Sequence, residues 1–181
     1  MRREGYCPVS FQSPYASTRS PNFMRFSRAL SLLAPLAFAA CLNGTEPDSY
    51  PNIPIESTTF ASNLNVNLAA STKTPSGLYY RDVTAGTGKT VATGDSVRVY
   101  YQGALASGQL FDQRASPQST FDFKLGTAFV IPGWDEGLVG MKVGGTRQLI
   151  IPPALAYGPS GYASIPPNAV LVFNITMSAA K

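Results

Sequence analysis

Histidine is absent from the 181 residues. The commonest general base and the commonest metal ligand are therefore missing. Cysteine is nearly absent as well: the chain has two, Cys7 and Cys41. At most one disulfide is possible, and only if both segments stay in the mature protein. Charge is scarce at 13% of residues, low for a soluble domain. The longest apolar run, Ala29–Ala40, has twelve residues and contains Pro35, too short to span a bilayer. Gly and Pro, by contrast, are abundant at 16 and 15, which favours turns and short strands over long helices.

The net charge of +4 does not mark a nucleic-acid binder. Five basic residues (Arg2, Arg3, Arg19, Arg25, Arg28) precede Cys41 against one acid, Glu4. From Cys41 onward there are nine residues of each sign. The basic excess thus belongs to the leading segment, and the rest lacks the electrostatic footprint of a nucleic-acid partner.

That leading segment reads as an address. Met24-Arg-Phe-Ser-Arg28 is basic, Ala29–Ala40 is apolar, and small residues precede Cys41. This is the pattern of a secretory signal peptide over residues 24–40. Phe38-Ala-Ala-Cys41 resembles the lipobox of bacterial lipoproteins, in which the cysteine carries lipid. The resemblance implies lipidation at Cys41 and an extracytoplasmic protein, held on a periplasm-facing or cell-surface membrane by its lipid anchor. Cleavage nearby without lipid leaves a free secreted protein as the alternative. Residues 1–23, with Pro8, Pro14 and Pro21, fit no signal. They are expected to be a non-structural extension, with translation starting at Met24.

Residues 41–75 are rich in Pro, Ser, Thr and Asn and are expected to form a flexible tether. Phe60, Leu64, Val66 and Leu68 are apolar at mixed spacing and could dock as a short element. Residues 76–181 read as the folded domain. Ser96–Gln102 alternates Val97, Val99 and Tyr101 against polar neighbours. Phe121, Phe123 and Leu125 alternate likewise. Arg147–Ile151 is a β-rich run stopped by Pro152-Pro153. Leu171, Phe173, Ile175 and Met177 alternate with Val170, Val172, Asn174 and Thr176. Period two predicts antiparallel strands buried on one face and wet on the other. In Trp134–Met141 the apolar residues Trp134, Leu138 and Met141 recur at helical spacing, which predicts one short amphipathic helix lying on the sheet. The fold class is α+β.

The motifs in this domain resemble a known family. They are Val99-Tyr-Tyr-Gln-Gly103, Gly108-Gln-Leu-Phe-Asp112, Val130-Ile-Pro-Gly-Trp-Asp-Glu-Gly137, Ala156-Tyr-Gly158, Ile165-Pro-Pro-Asn-Ala169 and Leu171-Val-Phe173. In this order they are similar to those of FKBP-type peptidyl-prolyl cis-trans isomerases, over Ser76 to Met177. The resemblance implies a curved, half-open antiparallel β-sheet wrapped around one short α-helix, with an apolar pocket between them. It implies that Tyr101, Asp112, Trp134 and Tyr157 serve catalysis, and that Phe111, Phe121, Val130, Ile131, Ile165 and Phe173 bind substrate. Two rim loops, Ala115–Ser119 and Gly158–Ser164, depart from the family pattern at Pro117 and Tyr162.

Rotation about an X–Pro bond breaks and remakes no covalent bond, so the implied chemistry needs neither histidine, metal nor cofactor. The implied partners are proline-containing polypeptides, with macrolides as inhibitors, acting on a monomer. A proline-peptide-binding module or chaperone with little turnover is the competing reading. A purely structural lipoprotein is a third, and it has no use for a pocket.

Overall fold

A computed structural model describes residues 51–115 and 119–181. The extension, signal peptide and Cys41, and Pro117 of the first rim loop, lie outside the described residues.

Seven strands form one antiparallel sheet: β1 (Thr72–Lys73), β2 (Tyr79–Thr84), β3 (Ser96–Leu105), β4 (Leu110–Arg114), β5 (Phe121–Lys124), β6 (Thr146–Ile151) and β7 (Leu171–Ala180). Their order is β1-β2-β6-β7-β3-β4, with β5 also paired to β3. The alternating runs expected near 96, 121 and 170, and the β-rich run at 147–151, are all strands. The edge strands β1 and β4, and β2 beside β1, carry no clean alternation and were not legible.

The single α-helix among the described residues, α1 (Pro132–Gly137), lies against this sheet. It starts two residues before the expected Trp134 and stops four before Met141. Pro132 sits at its first position, where a missing N–H costs nothing. Gly133 and Gly137 are one turn apart and face the strands. A β-carbon on Gly133 would lie 2.5 Å from Ile151 Cγ2, and one on Gly137 2.8 Å from Leu149 Cδ2. These glycines weaken the helix as a helix and let its backbone settle directly on β6.

Arg147 ties the end of this helix to the sheet. Its Nη1 donates to the carbonyls of Gly137 (2.9 Å) and Val139 (3.1 Å). Its Nε and Nη2 donate to the two carboxylate oxygens of Asp82 on β2, at 2.6 and 3.0 Å. The guanidinium also lies 4.7 Å from the Tyr80 ring centroid. Asp82 keeps nearly half its side chain in water, so the ion pair itself is screened. Satisfying helix-end carbonyls is the larger share of what Arg147 contributes.

The sheet buries both faces. Leu149, Ile151, Leu171, Phe173, Ile175 and Met177 point into the main core with Trp134 and Leu138. Ile150, Val170 and Val172 point the other way, into a second core with Tyr79 and Ala104. The covering layer is the stretch read as tether. Ile55 and Leu64 are buried at 4% and 7% exposure in that second core, and Phe60, Val66 and Leu68 pack against it. The expectation of a free linker over 41–75 is corrected for residues 51–75, and so is the expectation of a wet second face.

The physical reason lies in what the polar residues do. They close 3-10 turns: the Asn67 side chain accepts from the Ala70 N–H, and the Thr58 hydroxyl donates to the Pro54 carbonyl. Gln148, 1% exposed, donates to the Leu64 carbonyl at 2.9 Å and to Asn174 Oδ1 at 3.1 Å. Glu56 accepts from Lys73 and from the Tyr79 hydroxyl. The Lys73 hydrogen bond, then that of Tyr79, holds the Glu56 carboxyl down to about 2, so this anchor stays ionised at neutral pH.

Replacing Ile55 or Leu64 by Ala should each lower unfolding free energy by about 2–3 kcal/mol, read from urea midpoints. A chain shortened to begin at Ser76 should lose more, because Ile150 and Val172 become exposed. Unchanged midpoints in all three would show that the segment only rests on the domain.

Candidate active site

Strand β3 builds one wall of the site. Its alternation turns Val99, Tyr101 and Gly103 toward the helix side, and all three are buried. Gly103 stands opposite Phe173 on β7 and Asp112 on β4. A β-carbon there would lie 2.5 Å from Phe173 and 2.8 Å from Phe111. Only a glycine lets those two rings close over the strand, edge to face at 5.5 Å. Phe121 stands opposite Val99 on β5. Trp134 comes from the first turn of α1, while Val130 and Ile131 come from the segment just before it.

Trp134 is 4% exposed and packed among four rings. Tyr101 and Phe173 meet it edge to face at 5.0 and 5.2 Å, Phe123 at 5.8 Å and Phe121 at 6.2 Å. Rings that meet edge-on cannot collapse into a flat stack, and a hollow of about 440 Å³ remains beside them. That volume lies in the range of small-molecule sites.

The hollow is lined by nine of the ten residues expected from sequence: Tyr101, Phe111, Asp112, Phe121, Val130, Ile131, Trp134, Tyr157 and Phe173. Ile165 is not among them. It is 6% exposed within the main core, and its backbone pairs with Tyr162, so it supports the wall rather than forming it. Two lining residues, Phe129 and Ala156, were missed. Ala156 lay within a quoted motif. Phe129 precedes Val130, and an aromatic residue in a turn after Gly126-Thr-Ala128 was the available signal.

Polar groups are few and oriented. The Tyr101 hydroxyl donates to Asp112 Oδ2 at 2.6 Å. Burial first, then this hydrogen bond, pushes the Tyr101 phenol up to about 12. Burial, then the charge of Asp112, raises Tyr157 as well. Both phenols are thus neutral donors at any physiological pH. The Tyr157 hydroxyl and the Ile131 N–H have no hydrogen-bond partner among the described residues, and both border the hollow. The Trp134 indole N–H is buried and also unpartnered. Among the described residues no group of three or more His, Cys, Asp or Glu side chains could share a metal ion.

A raised phenol pKa stabilises the fold below the ordinary value near 10, and that contribution is lost as pH rises toward 12. In a ring-carbon NMR titration Tyr101 should remain protonated through pH 10. In Asp112→Ala its midpoint should fall but stay above 10, because burial, the larger cause, remains. Titration of Tyr101 near 10 in the intact protein would contradict the buried hydrogen bond.

Comparison with known proteins bears on this site. The profile of the family described as FKBP-type peptidyl-prolyl cis-trans isomerase matches residues 87–178. The "FK506-binding protein 4" of Dictyostelium discoideum is 48% identical over 104 residues, 57% of this chain and 28% of that protein. FkpA from Escherichia coli superposes with a TM-score of 0.57 at 41% identity, covering 62% of this chain and 52% of FkpA. AtFKBP13 gives the same TM-score at 35% identity, covering 61% of this chain and 98% of AtFKBP13. The chain spans between 23% and 29% of the curated relatives heading these matches. Matched across half its length, from before β3 to near the end of β7, the chain belongs to the FKBP-type peptidyl-prolyl cis-trans isomerase family.

Proposed function

We propose that this protein catalyses cis–trans isomerisation of X–Pro bonds in polypeptides outside the cytoplasm. The observation that carries the reading is the open aromatic hollow beside Trp134, with one carboxylate held at its wall by Tyr101.

The uncatalysed barrier is about 18–20 kcal/mol because rotation breaks amide resonance. In the twisted state the carbonyl is less dipolar and needs less hydration. A water-poor aromatic wall favours that state over the planar imide, which is selective binding of the transition state. Trp134, Phe121, Phe111 and Phe173 hold the proline ring. The Tyr157 hydroxyl and the Ile131 N–H donate to flanking carbonyls and fix the chain on either side of the rotating bond. Asp112, oriented by Tyr101, opposes the charge-separated planar form and so favours the twist. A thousandfold acceleration requires about 4 kcal/mol, within reach of these contacts. A macrolide such as FK506 fills the same hollow and competes. One chain supplies every lining residue, so a monomer suffices.

Trp134→Ala and Asp112→Ala should each slow catalysed, proline-limited refolding of a model protein by tenfold or more, about 1.4 kcal/mol in each case. Wild-type rates in both would remove the reading. Suppressed aggregation without faster refolding would instead assign the hollow to a chaperone.

The location rests on residues 24–41. Cleavage before Cys41 and acylation of its thiol would anchor the chain to a membrane surface. The docked layer begins near Ile55, fourteen residues after Cys41. Fully stretched, that interval reaches at most about 50 Å, so the domain works close to the bilayer. Mass spectrometry of the mature amino terminus should find a diacyl- or triacyl-modified Cys41. An unmodified Cys41, or a terminus elsewhere, would leave the protein unanchored.

A further inference from the structure

Phe129 is 69% exposed although it lines the hollow. Its ring stacks on Phe121 at 6.2 Å and 22°, and Phe121 in turn lies 5.3 Å from the buried Phe123. Three rings thus run as a ladder from the core to solvent, and the outermost leaves one face open.

The loop that presents this ring is held at several points. Gly126 N–H donates to Asp135 Oδ1 at 2.7 Å, and Ala128 N–H donates to Oδ2 at 3.1 Å. Asp135 belongs to the first turn of α1. The Thr127 hydroxyl donates to the carbonyl of Lys124, the last residue of β5. Ala128 adopts φ of +56°, a left-handed geometry that a non-glycine residue takes only when its surroundings impose it. The ring is therefore an ordered surface fixed to both walls of the site. An exposed aromatic continuous with a pocket marks a contact surface rather than a packing need.

Resting on the isomerase reading, we propose that Phe129 is a specificity-determining residue that selects substrates with an aromatic or large aliphatic side chain two residues after the proline. The chain turns at the rotating X–Pro bond, so only the segment after the proline can run extended from the ring; there, side chains two apart point to the same side and lie about 7 Å apart along the chain. A proline ring seated against Phe121 and Trp134 sends its next same-side neighbour about that distance along the wall. Phe129 stands 6.2 Å beyond Phe121. The residue bonded directly to the proline points to the opposite side and does not reach it. A ring or branched aliphatic group set on the open face of Phe129 excludes water from both surfaces.

The test uses blocked peptides with alanine on both sides of the proline and either Ala or Phe two positions before or after it. Isomerisation is followed by NMR exchange. Binding is followed separately through the fluorescence of Trp134, the only tryptophan in the chain. The intact protein should favour Phe two positions after the proline, and not two before it, by about 3- to 10-fold, the range an aromatic pair contributes. Phe129→Glu should bring that ratio to about one, while Phe129→Leu retains part of it. A preference that survives Phe129→Glu, or none at the position after the proline, overturns the proposal. If no peptide is isomerised but the binding preference is present and lost in Phe129→Glu, the catalytic reading fails and the role of Phe129 stands.

Discussion

The structure depends on keeping Trp134 edge-on to its neighbours. Tyr101 and Phe173 meet it at 83° and 88°. That geometry suits the charge distribution of aromatic faces and edges, and it leaves the hollow that a parallel stack would close. Each participant is fixed elsewhere. Tyr101 is held through its hydroxyl by Asp112, Phe173 lies over Gly103, and Trp134 is carried by a helix lying close on β6. The helix is too short to be stable alone. It persists because Gly133 and Gly137 admit it to the sheet and because Arg147 takes up the carbonyls at its end.

A sheet that presents one face to a helix and a cavity still has another face. Ile150, Val170 and Val172 make that face apolar, and residues 51–75 cover it. The back layer and the site are therefore one mechanical unit, since Leu149 and Ile150 are neighbours on the same strand with side chains in different cores. Gln148 shows how the layer docks without burying unmatched polar groups, because its amide serves the Leu64 carbonyl and Asn174 together. The exposed Glu56, held ionised by Lys73 and Tyr79, adds orientation more than stability.

Much of this was legible in the sequence. Period-two runs marked β3, β5 and β7, because each carries apolar alternation, and a β-rich run stopped by Pro152 marked β6. Nine of ten expected site residues line one hollow, because separated motifs constrain one another when all must meet. The failures are equally physical. The tether reading weighed Pro, Ser, Thr and Asn as signs of disorder, when here Thr58 and Asn67 close 3-10 turns in the stretch that buries Ile55 and Leu64. Val170 and Val172 hinted at a covered face, yet a strand's second face shows what covers it only in three dimensions. Ile165 sits in one of the motifs that carry the resemblance but is buried in the core. Phe129 was missed because a lone exposed aromatic has no periodic partner in sequence, and its stacking on Phe121 is a tertiary fact.

The absence of histidine agrees with the electrostatics of the hollow. Both bordering phenols have raised pKa values, Tyr101 up to about 12, so neither changes charge between pH 5 and 9. A histidine at this wall would titrate within that range and alter the field on the bound imide. The two phenols at this wall therefore add no change of field over that range. A reaction that moves no proton needs no titrating donor: its barrier depends on the carbonyl's changing dipole, and neutral donors fixed in place can be matched to the twisted state.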